Sequence, residues 1–329
     1  MYGQLSGLYL NEQQSYATIF TSSLVNLPII SEDFDIQIEA LREESMRTNR
    51  FGEPPFQIGV HKSGGSVSFE PLPVTLGYLL RAACSQNSGN ANPVLAGSSY
   101  SHLFRPRDVD FDDRAALPPF TFVVERDVGS ASAYGDLLAD EIKFNVQHSQ
   151  LLKATVSFVG GGLYAGAAIP ASAIPSGAPW TWDVASVSLG AEPIEELRSL
   201  SIGHKNNLQA VYTITTSKTA QRVKRDGFVE VRGQGTLLLT NSVMAKLNTS
   251  FRAQTRSQLL VNFAGTTSGS NRLRLDVPQL FLETFEPKIS GADLLEADFS
   301  FIGEYDATSS YAIEYTLVNT LASYGRGLT

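Results

Sequence analysis

The sequence predicts a mainly β protein, built as two tandem β-sandwich or barrel-like domains, each with a flanking α-helix. Three observations lead there. First, the ten residues Leu151–Gly160 return as Leu294–Gly303, with six positions identical and two more exchanging one bulky apolar residue for another. Second, both copies alternate. Leu152, Ala154, Val156 and Phe158, then Leu295, Ala297, Phe299 and Phe301, form apolar sets separated mostly by polar residues. Period two is the signature of a strand with one buried face. Third, each half carries several short alternating runs, a glycine-marked turn and one run of helical period.

The elements follow in matching order. Phe34, Ile36, Ile38 and Ala40 alternate with Asp35, Gln37 and Glu39, which reads as a half-buried strand, and Leu208, Ala210, Tyr212 and Ile214 repeat the pattern. Each leads into a polar, charge-bearing stretch, Glu43–Pro55 and Thr215–Gly227, and then into a strand beginning at Phe56 or Phe228. Glycines at Gly64-Gly65 and at Gly233-Gln234-Gly235 predict turns, followed by short strands at Val67–Phe69 and Leu237–Leu239. Leu76, Leu79, Leu80 and Ala83 then stand at helical spacing after Pro71 and Pro73. Val243, Met244, Leu247 and Phe251 do the same after a candidate N-cap at Thr240-Asn241.

The connection Ser85–Pro119, rich in Ser, Asn, Gly, Asp and Pro, is expected to be loop. Gly160-Gly161-Gly162 and the Ala/Pro/Gly/Ser run to Pro179 place domain boundaries at 1–165 and 179–329, with a linker at 166–178. Trp180–Trp182 and Val184–Leu189 should begin the second unit.

Composition narrows the function. With 329 residues the chain can bury two ordinary cores, its apolar content of 43% is average, and its charged fraction of 18% is low, as suits a surface covered by partners. No apolar stretch reaches the ~20 residues of a membrane span, and the first residues lack the pattern of a secretory signal. Cys84 is the one cysteine, so no internal disulfide or thiolate cluster can form, and it should be buried and reduced. A net charge of −8 argues against a scaffold that grips nucleic acid, though not against a surface that nucleic acid slides past. Residues 1–165 hold 18 Asp and Glu against 11 Lys and Arg, and the rest hold 15 against 14. The acidity therefore lies in the first half.

Catalytic patterns are missing. His61, His102, His148 and His204 are scattered, with no i, i+4 pairing; His61 and His148 are expected at the surface or an interface. Asp108, Asp110 and Asp112 resemble the start of a calcium loop, but Asp113 stands where Gly is required and Pro119 where Glu is required, so a solvated acidic loop is expected. Asn248-Thr249-Ser250 is a formal sequon without a secretory context. Asp140-Glu141 and Glu195-Glu196 are adjacent, and neighbours on a strand face opposite ways. No catalytic, cofactor or metal residue is expected. Arg222, Lys224 and Arg225 are expected to meet the acidic loop of Glu39, Glu43, Glu44 and Glu53 in another copy, giving complementary contacts. Trp180 and Trp182 beside Asp183 support a competing reading, a two-domain β-sandwich carbohydrate-binding or adhesin module.

The run Gly64–Pro71 into Leu76–Ala83 resembles the tail tube proteins of long-tailed bacteriophages, here of a tandem two-domain type. Tyr100–Phe104, Leu117–Phe122, Val156–Gly160 and Asn206-Asn207-Leu208 continue the likeness, which covers most of the chain. It implies two tail-tube-like domains that polymerise as stacked rings, with two copies per chain giving homotrimers of pseudo-sixfold symmetry. It implies a structural role rather than an enzyme, in the virion, made in the host cytoplasm. Hairpin arms would make contacts between rings or subunits, through Glu43, Glu44, Arg47, Arg50 and Glu53 in the first copy and Arg222, Lys224 and Arg225 in the second. The implied partners are other copies, a tape measure protein in the lumen, tail tip or initiator and terminator proteins, and DNA in transit without specific binding. No membrane and no cofactor is implied.

Overall fold

A computed structural model describes residues 6–13, 15–44, 56–84, 94–96, 98–106, 117–127, 129–169, 173–190, 192–265, 271–288 and 295–324. The fold is mainly β. The first half holds β1 (Gly7–Glu12), β2 (Val25–Leu27), β3 (Ser31–Glu32), β4 (Asp35–Arg42), β5 (Phe56–Phe69), α1 (Leu76–Cys84), β6 (Val94–Ala96), β7 (Ser99–Phe104), β8 (Phe120–Glu125), β9 (Ala131–Gln147) and β10 (Lys153–Ala167). The second holds β11 (Ala185–Leu189), β12 (Glu192–Pro193), β13 (Leu197–Lys205), β14 (Leu208–Val211), β15 (Arg222–Arg225), β16 (Glu230–Leu238), α2 (Asn241–Ala253), β17 (Ser257–Ala264), β18 (Arg272–Lys288), β19 (Glu296–Glu304) and β20 (Glu314–Asn319).

The two halves use one pairing scheme in one register. The repeated strand β10 pairs with β5 through Ala154↔Phe69, Val156↔Val67 and Phe158↔Gly65. Its counterpart β19 pairs with β16 through Ala297↔Leu237, Phe299↔Gly235 and Phe301↔Gly233. On the other side β10 meets β9, and β19 meets β18, each with an extra residue bulged out at the matching place. That residue is Asp140 in the first half and Glu283 in the second, and β9–β10 carries a second shift between Gly160 and Leu163. The next pairs also match, since β8–β9 carries a register shift between Phe120 and Phe122, and β17–β18 one between Ser257 and Leu259. Then β1 closes on β8 as β11 closes on β17.

The glycines read as turns lie inside strands. β5 runs unbroken through Gly64 and Gly65, and β16 through Gly233 and Gly235. The cause is packing. A Cβ on Gly233 would sit 2.1 Å from the Phe301 ring, and one on Gly235 would sit 2.8 Å from the Phe299 ring. Each glycine makes room for an aromatic ring on the repeated strand, a close-approach role that glycine takes within a strand.

Three other elements depart from the sequence reading. The described part of Ser85–Pro119 contains β6 and β7, because β20 offers an edge on which β7 pairs (Tyr315↔Phe104 to Asn319↔Tyr100). β13 was not foreseen; register makes it, and not Leu208–Ile214, the counterpart of β3 and the start of β4. Ser31↔Ser68 and Asp35↔Gly64 in the first half match Ser199↔Thr236 and Gly203↔Arg232 in the second. β10 passes through Gly160–Gly162 and ends at Ala167.

Both helices form as the periodicity requires. Leu76, Leu79, Leu80 and Ala83 are buried, and α1 lies on β9 and β7. α2 lies on β18, with its N-terminus capped by Thr240, whose hydroxyl accepts the Val243 N–H at 3.3 Å. The core is continuous: Phe34, Val67, Phe122 and Phe158 belong to the same buried cluster as Ile202, Phe263, Phe301 and Tyr315.

Candidate functional site: open strand edges and a polar sheet face

Seven strands run edge to edge across both halves in the order β5, β10, β9, β13, β16, β19, β18. One face of this sheet enters the core through Val67, Val156, Ile142, Ile202, Leu237 and Phe301. Alternation puts polar residues on the other: Ser66, Thr155, Lys143, Ser201, Gln234 and Ser300. Hydroxyls bridge neighbouring strands there, Ser68 with Thr155 at 3.0 Å and Thr284 with Ser300 at 2.8 Å, and the Thr236 hydroxyl donates to Asp298 at 3.0 Å. Shallow grooves along this face are lined by Glu141, Lys143, Lys205, Glu230 and Arg232.

The junction between halves is the β9–β13 pair, running from Lys205↔Glu141 to Ser199↔Gln147. Its polar anchor is His204, which is 1% exposed. Nε2–H donates to the Ala83 carbonyl at 3.2 Å, near the C-terminus of α1, and Nδ1 accepts from the Tyr315 hydroxyl at 2.8 Å. Asn206 donates to the same Ala83 carbonyl at 2.8 Å and to Ala139 O at 3.0 Å. Two side chains from the second half thus satisfy a helix-end carbonyl of the first, which has no partner within its own helix. Burial holds the His204 imidazole neutral, with its pKa lowered to about 4. Burial also pushes the neighbouring Cys84 thiol well up, so it is buried and protonated as the sequence indicated and is not an activated nucleophile.

The remaining histidines have structural surroundings. His102 is fully buried and donates to Leu321 O at 2.8 Å. His148 is exposed and packs 4.7 Å from the Trp182 ring. Trp180 is buried at 4% exposure, whereas Trp182 is 41% exposed and Asp183 accepts from Thr181. Among the described residues no group of three or more His, Cys, Asp or Glu could hold a metal ion. The acidic loop Asp108–Asp113 lies outside the described residues.

The charged residues singled out from the sequence fall in different places. Glu43 and Glu44 are exposed just beyond β4, while Arg47, Arg50 and Glu53 lie outside the described residues. Arg222, Lys224 and Arg225 are on a strand and not on a hairpin tip: β15 pairs with β14 through Leu208↔Arg225 and Val211↔Arg222. Arg225 turns inward, donating to Asn206 O and Oδ1, both at 3.1 Å. The β14–β15 hairpin folds back over the first half. Val223 is buried with Leu117 and Leu138, and Ala220 N–H reaches Gly161 O at 2.7 Å.

Sequence reasoning missed the edges. Among the described residues, Thr284–Lys288 of β18 pairs with β19 alone, and β3 and β4 pair with β5 alone. Ile38, Leu41, Phe56 and Ile58 on the β4–β5 arm are between 48% and 63% exposed. The signal was present in β4, whose alternation predicts one buried face that the single chain does not bury.

A duplicated sheet with open edges at both ends has the form of an assembly subunit. A family model described as phage tail tube protein matches residues 3–303, so the chain belongs to the phage tail tube protein family. Its role is therefore that of a structural protein of the virion tail, self-assembling with other tail components into a tube, and this is not an enzyme family. No curated protein matches the chain.

Proposed function

We propose that three chains close into a ring of pseudo-sixfold symmetry, each contributing two tail-tube-like domains (1–165 and 179–329, joined by 166–178), and that rings stack into the tube. The observation that supports this is the shared register of the two halves, joined side by side at β9–β13 with an edge open at either end. A head-to-tail contact that closes on itself makes a ring and leaves no edge to aggregate. The polar face of the seven-stranded sheet lines the lumen. Its hydroxyls and mixed charges, on a chain of net charge −8, let a tape measure protein occupy the channel and let DNA pass without adhering. Tip or initiator proteins start the tube and a terminator ends it. Glu43, Glu44, Arg47, Arg50 and Glu53 meet Arg222, Lys224 and Arg225 of other copies. The protein is made in the host cytoplasm.

Negative-stain electron microscopy of the concentrated protein, with mass measurement, tests the reading. Three-chain rings or hollow tubes are expected, with or without an initiator complex. A chain that stays monomeric even with initiator proteins would overturn it. Charge reversal of Arg222, Lys224 and Arg225 to Glu should weaken polymer formation; unchanged polymer would remove those residues from the contact.

A further inference from the structure

The internal β9–β13 junction supplies a template for the contact between chains. We propose that the β18 edge of one copy pairs antiparallel with residues 33–37 of the next copy, and that the β4–β5 arm of that next copy seats on Phe281 and Ile302. This rests on the ring reading and assigns its seam to residues.

The register follows from the duplication. β18 matches β9 through their common neighbour, since Glu141↔Ser157 and Ile142↔Val156 correspond to Thr284↔Ser300 and Phe285↔Phe299. β3 and β4 match β13 in the same way, with Gln37↔Lys62 corresponding to Lys205↔Glu230. Inside the chain β13 meets β9 as Lys205↔Glu141, His204↔Ile142 and Ile202↔Phe144. Carried over, Gln37 faces Thr284, Ile36 faces Phe285 and Phe34 faces Pro287 of the adjoining copy. Pro287 has no N–H to give, so this seam is one hydrogen bond poorer, and a proline on a bare edge discourages indiscriminate pairing. The counterpart of Gly203↔Lys143 sets Asp35 opposite Glu286, the one like-charge pair, which salt relieves.

The bulges agree with this template. Asp140 takes the Asn206 N–H on its carbonyl and the Leu208 N–H on its carboxylate, both at 2.6 Å. Its counterpart Glu283 stands at the open edge, 3.5 Å from Arg232.

The arms give an independent argument. The second-half arm packs on the first half by burying Val223 against Leu138, with Val159, Leu208 and Ala210 alongside, and its tip binds His61 through Tyr212 Oη at 2.7 Å. By register, Leu138 and Val159 correspond to Phe281 and Ile302, which are only half-buried. The first-half arm carries Ile38, Leu41, Phe56 and Ile58 at exposures of 48% to 63% among the described residues. A cluster of exposed apolar side chains on one hairpin marks a contact surface, and the repeat identifies the surface that covers it.

In the free chain the receiving edge is capped. The Phe34 N–H donates to Glu32 Oε2 at 2.9 Å, and Arg126 donates to Phe34 O at 2.6 Å while pairing with Glu32 at 2.7 Å. Phe34 is the counterpart of Ile202, so this clasp stands where the incoming strand would bond, and docking displaces it.

Paired cysteines test the seam in the full chain, whose only native thiol is buried. Gln37→Cys with Thr284→Cys should form disulfides between chains on oxidation of assembled protein, giving covalent species up to the three-chain ring. Directly opposed residues in the pair type without mutual hydrogen bonds have the Cα spacing a disulfide needs. The internal equivalent, Glu141→Cys with Lys205→Cys, should close within a single chain. Rings or tubes that assemble normally, with the internal pair closed but no link between chains, would overturn the seam and leave the tube reading intact. Absence of any assembly with initiator present, and of any link between chains, would overturn both. As a second variant, Ile38→Asp with Ile58→Asp should abolish ring formation while leaving a monomer with the parent's thermal unfolding; rings of normal yield would overturn the arm contact.

Discussion

Two buried titratable groups should nearly cancel in the acid stability of this chain, and one substitution should expose the balance. His204 is held neutral down to about 4, while the unfolded side chain titrates at 6.5. Above pH 6.5 the site contributes its full stability. As the pH falls from 6.5 to 4 the unfolded state takes up a proton that the native state refuses, which costs about 3 kcal/mol at about 1.36 kcal/mol per pKa unit. The charged and titratable neighbours facing it are Tyr315, Cys84 and Arg225.

Asp136 has the opposite sign. It is 4% exposed, and burial raises its pKa from 3.8 to about 6 despite two contacts at 3.0 Å from Ala17 N–H. Tyr16 is its titratable neighbour. Above pH 6 the fold holds a desolvated carboxylate, at a cost of about 3 kcal/mol that disappears as the pH falls from 6 to 3.8. The two slopes therefore oppose each other over nearly the same window. Urea unfolding of the parent and Asp136→Asn at pH 7, 6, 5 and 4 should show the variant's stability relative to the parent falling by about 3 kcal/mol across the series. His204→Gln should remove the corresponding acid-side loss. A difference between parent and Asp136→Asn that stays constant with pH would refute the assignment of buried charge to Asp136, and an unchanged acid loss in His204→Gln would refute that of His204.

Three further outcomes follow from single contacts. Gly233→Ala should destabilise the chain by roughly 1–3 kcal/mol in thermal or chemical unfolding, because its Cβ would enter the Phe301 ring. Thr240→Ala removes the α2 cap and should cost about 1 kcal/mol in the same assay, with Thr240→Ser close to the parent. Arg126→Ala opens the clasp over Phe34 and should lower the protein concentration at which rings form, read by sedimentation; a raised concentration would mean that the clasp supports the assembled edge instead.

Much of the fold was legible because the chain states it twice. Alternation at Leu152–Phe158 and Ala297–Phe301, the helical spacing from Leu76 and Val243 and the Thr240 cap are local patterns, and local patterns survive in a single sequence. Leu295, read with the second set, is instead 44% exposed just ahead of β19. The misses have non-local causes. Gly64-Gly65 and Gly233 look like turns because what presses on their missing side chains is distant in the chain: the Phe158 carbonyl on Gly64, Phe34 on Gly65 and the Phe301 ring on Gly233. β13 was missed because His204, a polar residue at a buried position, interrupts the apolar set of Leu200 and Ile202. β7 exists because β20 receives it. The candidate site was least legible, since an open edge is defined by which strand fails to arrive. Arg225 shows the same limit: it reads as a surface cation, yet it also donates to Asn206 within the chain.

Two copies of one pairing scheme in a single chain can diverge where their register keeps them aligned. On the polar face Lys143 of the first half corresponds to Glu286 of the second, Lys153 to Glu296 and Thr155 to Asp298. On the buried face the strand pair at the repeat changes between apolar residues, Val156 to Phe299 and Val67 to Gly235. A volume exchange there is compensated across one strand pair, Val against Val in one half and Phe against Gly in the other, so the layer keeps its thickness. Six identical subunits would give every sector of the lumen the same charge. In the proposed ring, Lys143 and Lys153 of one half would alternate with Glu286, Glu296 and Asp298 of the other around the wall, and opposite charges on adjoining sectors would limit the field felt along the axis. The divergence of charge and the conservation of register thus sit on opposite faces of one sheet, as expected if the inner face holds the fold and the outer face meets whatever passes through.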